Sequence, residues 1–359
     1  MHRSPLFAKL QAAGAQFAEY QGWEVPASFG SLETEYRALK EAAGLLDLSH
    51  RGRLSVSGED APRFLHGMVT NEVQDLPPGQ GNYAFLLDVH GHILADLHVF
   101  RVHEERYLLD CDPDRAAVIL GALDRHIISD VVDLEDRGPR TACLGVEGPC
   151  AREALSEAIG FDPPHMRLLE HMEVTDLGAR LVRASLSGEE GYWVYSSPEQ
   201  IMLLWDRIRE VGSGFGVLPA GFGAVEVCRV EAGIPRYGSD ITEKSLPQET
   251  GQMQALSFTK GCYIGQETVE RIRSRGHVNR RLVGLLLDGA EPVLPGTPLL
   301  AGGETVGSIT SSARSFHLQR IVALGYVRRE HAETGTLLAA GEVPAEVSPL
   351  PFFAAAPRT

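Results

Sequence analysis

The chain reads as an α+β protein built on antiparallel sheets, with an all-β segment at its C-terminal end. Three observations lead there. Runs with the two-residue alternation of strands are mixed with runs of helical spacing along most of the sequence. Many neighbouring strands are joined by connections too short for a parallel crossover. From Arg281 onward, short apolar runs are separated by Pro-Gly and Gly-Gly turns, as in a small barrel. At 359 residues the chain is also too long for one ordinary core. The expected division is two interleaved α+β subdomains over 1–275, followed by a β-barrel domain over 276–359.

The elements follow in order. Phe7, Leu10 and Phe17 predict a short amphipathic helix within 4–21, and 33–43 predicts a second helix closed by Gly44. Leu54 and Val56 alternate with polar residues as in a strand, and Asp60 is placed to cap a helix through Phe64, Leu65 and Met68. Pro77-Pro78-Gly79 marks a loop. Strands over 83–88 and 93–101 flank a turn at His90-Gly91, and 107–111 is a further strand before a helix over 114–127. Strands are expected at 141–145, 179–185 and 192–195, and Pro198 opens a helix through Trp205 and Ile208. The barrel strands are 282–287, 298–300, 305–310 and 322–327. The final Ala/Pro tail is expected to fray.

Composition narrows the function classes. With 43% hydrophobic and 23% charged residues, the chain has a globular composition. A formal charge of −15 argues against general nucleic-acid binding, while leaving room for a local basic pocket. The five cysteines are odd in number and widely spaced, with no CxxC pair. That points to a reducing compartment rather than a disulfide framework. No signal-peptide pattern and no apolar run of membrane-span length is present, so a cytoplasmic protein with no membrane partner is expected.

Five segments carry candidate chemistry. In Lys260-Gly261-Cys262-Tyr263-Ile264-Gly265-Gln266-Glu267, glycines permit close approach and a nearby ammonium favours the thiolate. The plainer reading is a cysteine packed as a small hydrophobe in a turn. Asp96, in an apolar strand, could orient or protonate a substrate nitrogen, or be an ordinary edge aspartate. The turn Ser187-Gly188-Glu189-Glu190-Gly191 could accept hydrogen bonds from an amino-heterocycle, or be a solvated hairpin. Arg229 could reach a ligand carboxylate or form an internal ion pair. After Cys262 comes an arginine run (Arg271, Arg273, Arg275, Arg280, Arg281), read either as an anion or partner site or as a solvated face. His90 and His92 lack metal-site spacing, so no metal is expected. There is no GxGxxG or Walker A sequence, and Ser49-His50 lacks a nucleophile elbow.

The segment KGCYIGQE resembles the signature of the YgfZ family, folate-binding proteins of iron–sulfur cluster assembly or repair that share a fold with the T-protein of the glycine cleavage system. Residues 22–26, 44–50, 229–238 and 247–249, and the tail from Arg281, are also similar to T-protein segments. The resemblance implies a T-protein-like three-domain ring with tetrahydrofolate in its central hole. It places Asp96 where the T-protein has an aspartate that positions the folate amine. It implies folate contacts from Tyr83, Glu189, Glu190, Trp193, Arg229 and Lys260. Trp193 stands where the T-protein has a pterin-holding glutamate, so it either stacks on the pterin or belongs to the core. Leu186 replaces a tyrosine and Asp112 an asparagine. Aminomethyl transfer needs no thiol, so Cys262 favours the YgfZ branch. The leading expectation is therefore a tetrahydrofolate-binding accessory protein with Cys262 as functional thiol, working with iron–sulfur client proteins or assembly factors. A lone cysteine cannot hold a cluster by itself. The alternative is a folate-dependent aminomethyltransferase or demethylase using Asp96, and a third reading is a scaffold in which folate is structural. The polyglutamyl tail of folate is one candidate ligand for the arginine run.

Overall fold

Alternation along the strand Ile93–His103 sets the sheet that carries the site: Ala95, Leu97 and Val99 are buried, whereas Leu94, Asp96 and His98 are half-buried. In the computed structural model, which describes residues 1–353, this strand lies between Gly81–Leu87 and Arg106–Cys111. Gly52–Ser57 and Asp133–Asp136 complete a five-stranded sheet. The antiparallel register sets His98 opposite Asp110 and Leu54 opposite Leu109. The helix Ala61–Met68 covers one face with Phe64, Leu65 and Met68, and Ala116–Asp124 adds Ile119 and Leu123.

A second sheet has six strands in the order His171–Val174, Ala179–Arg183, Gly191–Ser196, Ala142–Glu147, Ala43–Asp47 and Val217–Pro219. Its pairs are antiparallel except the last. Leu45, Leu144, Val146 and Val194 pack on Leu155, Trp205 and Ile208 from the helices Ala151–Ile159 and Pro198–Gly212. Each such fully buried side chain contributes roughly 1.5–3 kcal/mol. The C-terminal strands Arg280–Leu287, Arg320–Arg328, Glu304–Ser315, Pro298–Ala301, Leu337–Ala340 and Val343–Ser348 close into a barrel around Leu285, Val306, Ile309 and Val327. The α+β class and the barrel follow the expectation. Contacts divide the chain into two compact units, one of Met1–Leu86, Leu94–Val225 and Gln254–Ile264, the other of Leu87–Ile93, Glu226–Met253 and the chain from Gly265 onward.

Several local expectations are corrected. The helix predicted within 4–21 stops early, as Phe7–Ala12, and Gln16–Tyr20 is a strand paired with Trp23–Ser28. Gly14 at φ 89° reverses the chain between them, and Phe7 and Phe17 meet across that turn with ring centroids 4.5 Å apart. Gly44 does not close a helix. The helix is Leu32–Glu41, and Gly44 lies in the next strand, where a Cβ would come within 2.5 Å of Leu39. Asp60 does not cap its helix with its side chain, because its carboxylate accepts from the Val131 amide at 2.9 Å instead. The helix expected over 114–127 is a 3-10 turn, Pro113–Arg115, followed by Ala116–Asp124. The arginine run begins in a helix, Gln266–Arg275, bounded by Gly265 and Gly276 at φ 81° and 76°. No helix of the described residues is long and apolar enough to cross a membrane. The part of the frayed-tail expectation that concerns 354–359 lies outside the described residues.

Barrel closure makes one position intolerant. A Cβ on Gly307 would lie 2.0 Å from the Tyr326 carbonyl oxygen. Gly307→Ala is expected to cost about 1–3 kcal/mol by overpacking, measured as a lower denaturant midpoint with an unchanged slope. An unchanged midpoint would contradict the close strand approach.

Candidate active site

The centre of the site is a buried charge cluster joining the two sheets of the first unit. The chain passes from Ala43–Asp47 to Gly52–Ser57 through residues 48–51, and Arg51 turns inward there. Its Nε donates to Asp110 Oδ1 at 2.7 Å, Nη2 lies 2.6 Å from the same oxygen, and Nη1 donates to Asp112 at 3.0 Å. Tyr195 donates its hydroxyl to the other Asp110 oxygen at 3.1 Å. Burial opposes ionisation of Asp110, but the Arg51 guanidinium outweighs it and holds the carboxyl down at about 2.

Asp96 and Tyr83 face each other on neighbouring strands, with the phenol donating to Asp96 Oδ2 at 2.8 Å. Burial, reinforced by the Asp96 charge, pushes the Tyr83 phenol well up, so it stays a donor. Burial also lifts the Asp96 carboxyl above its ordinary range, while the Tyr83 hydrogen bond and the Arg51 charge pull it back. His98 lies between these groups, its ring 5.5 Å from Tyr83 and 5.4 Å from Trp193 by centroids.

The acidic turn is anchored by a residue the sequence reading did not single out. Glu147 is fully buried and accepts from the Ser185 hydroxyl (2.8 Å), the Leu186 and Ser187 amides (3.0 and 2.9 Å) and Trp193 Nε1 (3.0 Å). Trp193 is therefore core: it is 0% exposed, with Arg51 over its ring at 5.4 Å and His98 at its edge, and it offers no open face for stacking. Glu189 and Glu190 are engaged as well. Lys40 lies 2.7 Å from Glu189, and Tyr192 donates to Glu190 at 3.2 Å.

Two further expected contacts have internal partners. The Lys260 ammonium donates to the carbonyls of His66 (2.6 Å), Val69 (2.6 Å) and Asn71 (2.7 Å), which uses its three protons. Burial lowers its pKa to about 8, with Glu72 opposing. It clamps the chain end of Ala61–Met68 instead of presenting an ammonium to a ligand. Arg229 is buried, and its five N–H groups go to Glu226 (both carboxylate oxygens), Asp240, the Ile234 carbonyl and Ser311. The ion-pair reading is the one realised for Arg229, and it sits in the second unit. Cys262 is exposed, which removes the reading of a cysteine packed in the core. Arg271 and Arg273 are exposed on their helix, whereas Arg280 pairs with Glu249 at 3.0 Å.

Arg51, Asp110 and Glu147 were not singled out from sequence, since nothing local marks a charge as buried. His98 could have been found, because strand alternation puts it on the face of Asp96. The Arg51–Asp110 pair generates a pH prediction. The folded-state pKa of Asp110 lies below the ordinary 3.8, so its contribution is complete above that value and is lost as pH falls through about 2. That contribution is about 2 kcal/mol. Asp110→Asn should be less stable than wild type at pH 7 by about 3 kcal/mol, since it leaves Arg51 underpaired. Urea unfolding at pH 7, 4 and 2.5 should show the gap narrowing between the last two points. A gap independent of pH would overturn the assignment.

Comparison with known proteins bears on this geometry. Residues 6–260 match the GCVT N-terminal domain, and residues 280–354 match the glycine cleavage T-protein C-terminal barrel domain. The chain is 31% identical to an aminomethyltransferase of Streptomyces coelicolor, covering 98% of each protein. It is 32% identical to one of Geobacillus kaustophilus, covering 98% of this chain and 99% of that protein. The crystal structure of the glycine cleavage system aminomethyltransferase T from Bartonella henselae superposes with a TM-score of 0.91 at 25% identity, over 98% of both chains. These matches support the T-protein relation expected from sequence, without extending to the YgfZ branch. With both of its domains matched, the chain belongs to the glycine cleavage T-protein family.

Proposed function

We propose that this chain is a folate-dependent aminomethyltransferase in which Asp96 serves the reacting nitrogen. Proteins of the family use tetrahydrofolate, and the full-length relatives named above carry the aminomethyltransferase name. The observation that carries the reading is the state of Asp96. It is a half-buried carboxylate to which the Tyr83 phenol donates. Its remaining lone pairs are available to an incoming N–H.

The chemistry follows from that placement. A folate amine nitrogen attacks the aminomethyl carbon, and as the C–N bond forms the nitrogen becomes positive. An acceptor fixed beside it orients the lone pair, stabilises the developing charge and receives the proton. Tyr83 holds the carboxylate in place, and burial makes it a better proton acceptor than an exposed aspartate. Two displacements complete the transfer: the first folate nitrogen displaces the lipoyl sulfur, the second displaces ammonia, and each leaving group departs with its electron pair and takes up a proton. No thiol of this chain takes part. Because Trp193 is closed off, the pterin must be held without the glutamate that the T-protein resemblance would have supplied.

Incubation with tetrahydrofolate and an aminomethyl-lipoyl donor should yield 5,10-methylenetetrahydrofolate. Asp96→Asn is expected to lower kcat by about 10²-fold or more while tetrahydrofolate affinity, by titration calorimetry, changes only a few-fold. Wild-type turnover no greater than that of the variant would remove the reading.

A second reading keeps the iron–sulfur accessory role with Cys262 as functional thiol. The observation in its favour is the exposure of that thiol. Among the described residues no group of three or more His, Cys, Asp or Glu could hold a metal, so any cluster would need ligands from a client. Cys262→Ala separates the readings. The transferase reading expects turnover within about twofold of wild type, a change of under 0.5 kcal/mol in barrier. Unaltered folate binding with lost complementation of iron–sulfur enzyme activity would favour the thiol instead.

A further inference from the structure

We propose that His98 is a second acid–base residue of this site, acting beside Asp96. The inference rests on the transferase reading and assigns the proton that Asp96 alone does not account for.

Three observations place it. His98 is two residues from Asp96 on the same half-buried face of Ile93–His103. The antiparallel register sets it directly opposite Asp110, with Nδ1 3.7 Å from Asp110 Oδ1. Nδ1 is sealed from solvent with no hydrogen-bond partner among the described residues. The other ring nitrogen, Nε2, also has no partner among the described residues. It is not among the sealed atoms, and the side chain keeps 20% of its surface exposed. The ring is held between Tyr83 and Trp193. One nitrogen thus faces a carboxylate that Arg51 keeps ionised, and the other keeps open surface on the Asp96 side of the strand.

That arrangement has a chemical consequence. A carboxylate next to Nδ1 favours a proton on Nδ1, which leaves Nε2 as the ring atom that can exchange a proton with a ligand. At 3.7 Å the Nδ1–Asp110 approach is longer than a hydrogen bond, and such contacts tighten when substrate binds. The charged and titratable groups around the ring are Asp110, Arg51 and Tyr195 on the inner side, Tyr83 on the neighbouring strand and Asp96 on its own. In the transfer, the folate nitrogen that forms the new C–N bond gives its proton to Asp96. The heteroatom whose bond to the carbon breaks leaves with the electron pair and takes a proton from Nε2 of the doubly protonated His98 ring, and the proton held on Asp96 then returns to Nε2 to reset the pair. One proton is taken and one is given, and no further reactant is needed.

The test compares wild type, His98→Gln and Asp110→Asn as full-length proteins. His98→Gln is expected to lower kcat by about 10²-fold and to remove one limb of the pH–rate profile, with tetrahydrofolate affinity within about threefold of wild type. Asp110→Asn should lower kcat about tenfold or more, judged at a denaturant-free temperature where it is folded by circular dichroism. In wild type, the ¹⁵N resonances of the His98 imidazole should shift when tetrahydrofolate is added. A His98→Gln enzyme with wild-type kcat and pH profile overturns the proposal. So does an unshifted imidazole, or a loss of folate affinity that accounts for the whole rate effect. Wild-type protein that shows no transfer at all overturns the transferase reading, and the acid–base role falls with it; the imidazole shift then still reports whether folate touches His98.

Discussion

The site depends on one guanidinium. Arg51 lies where the chain leaves the six-stranded sheet for the five-stranded one, and it ties Asp110 and Asp112 to that crossing. Taking these charges out of water costs several kcal/mol per ion, which close pairing and the Tyr195 hydroxyl offset. Arg53 secures the same crossing from the other side by donating to the carbonyls of Arg51, Ser49 and Thr141 at 2.7, 3.0 and 2.9 Å. With the crossing fixed, the end of Arg106–Cys111 is fixed. Strand register then sets His98 and, two residues before it, Asp96.

In the KGCYIGQE segment most of the motif residues have structural work of their own. Read locally, its lysine and glycines frame a reactive thiol. In the structure the lysine gathers three backbone carbonyls from the end of Ala61–Met68 and the segment that follows it. Gly265 has φ 81°, and a Cβ there would come within 2.6 Å of the Asp88 carbonyl oxygen. Tyr263 is buried. These residues answer backbone demands, and the cysteine sits exposed among them without being required by any.

Legibility from sequence followed the range of the interactions. The hairpin about Gly91, the strand carrying Asp96 and the barrel strands were readable because alternation and turn glycines are local signals. The helix at the N-terminus was misjudged where local spacing fitted two structures, and the positive φ of Gly14 chose between them. Asp96 was marked by its place in an apolar strand and Tyr83 came through the family resemblance, and the two prove to be hydrogen-bonded. The partners of Arg229, Lys260 and Trp193 were not readable. Asp240, the carbonyls of 66–71 and Glu147 lie 11 to nearly 200 residues away in sequence, and a side chain's donors reveal nothing about which acceptor will bury with them.

Acceptor accounting sets Asp96 apart from the carboxylates that surround Arg51 and the acidic turn. Asp110 and Asp112 are held by Arg51, Glu189 by Lys40, and Glu147 by four donors. Each of these is spent on holding backbone or strands in place, and an ionised group so matched gains little from a ligand. Asp96 has one phenolic donor, burial that raises its pKa, and a strand position on the half-buried face. In the transferase reading proposed above, the N–H of an incoming amine would add a donor to this carboxylate. The rigid, fully paired groups around it keep the carboxylate in position instead of letting the strand relax.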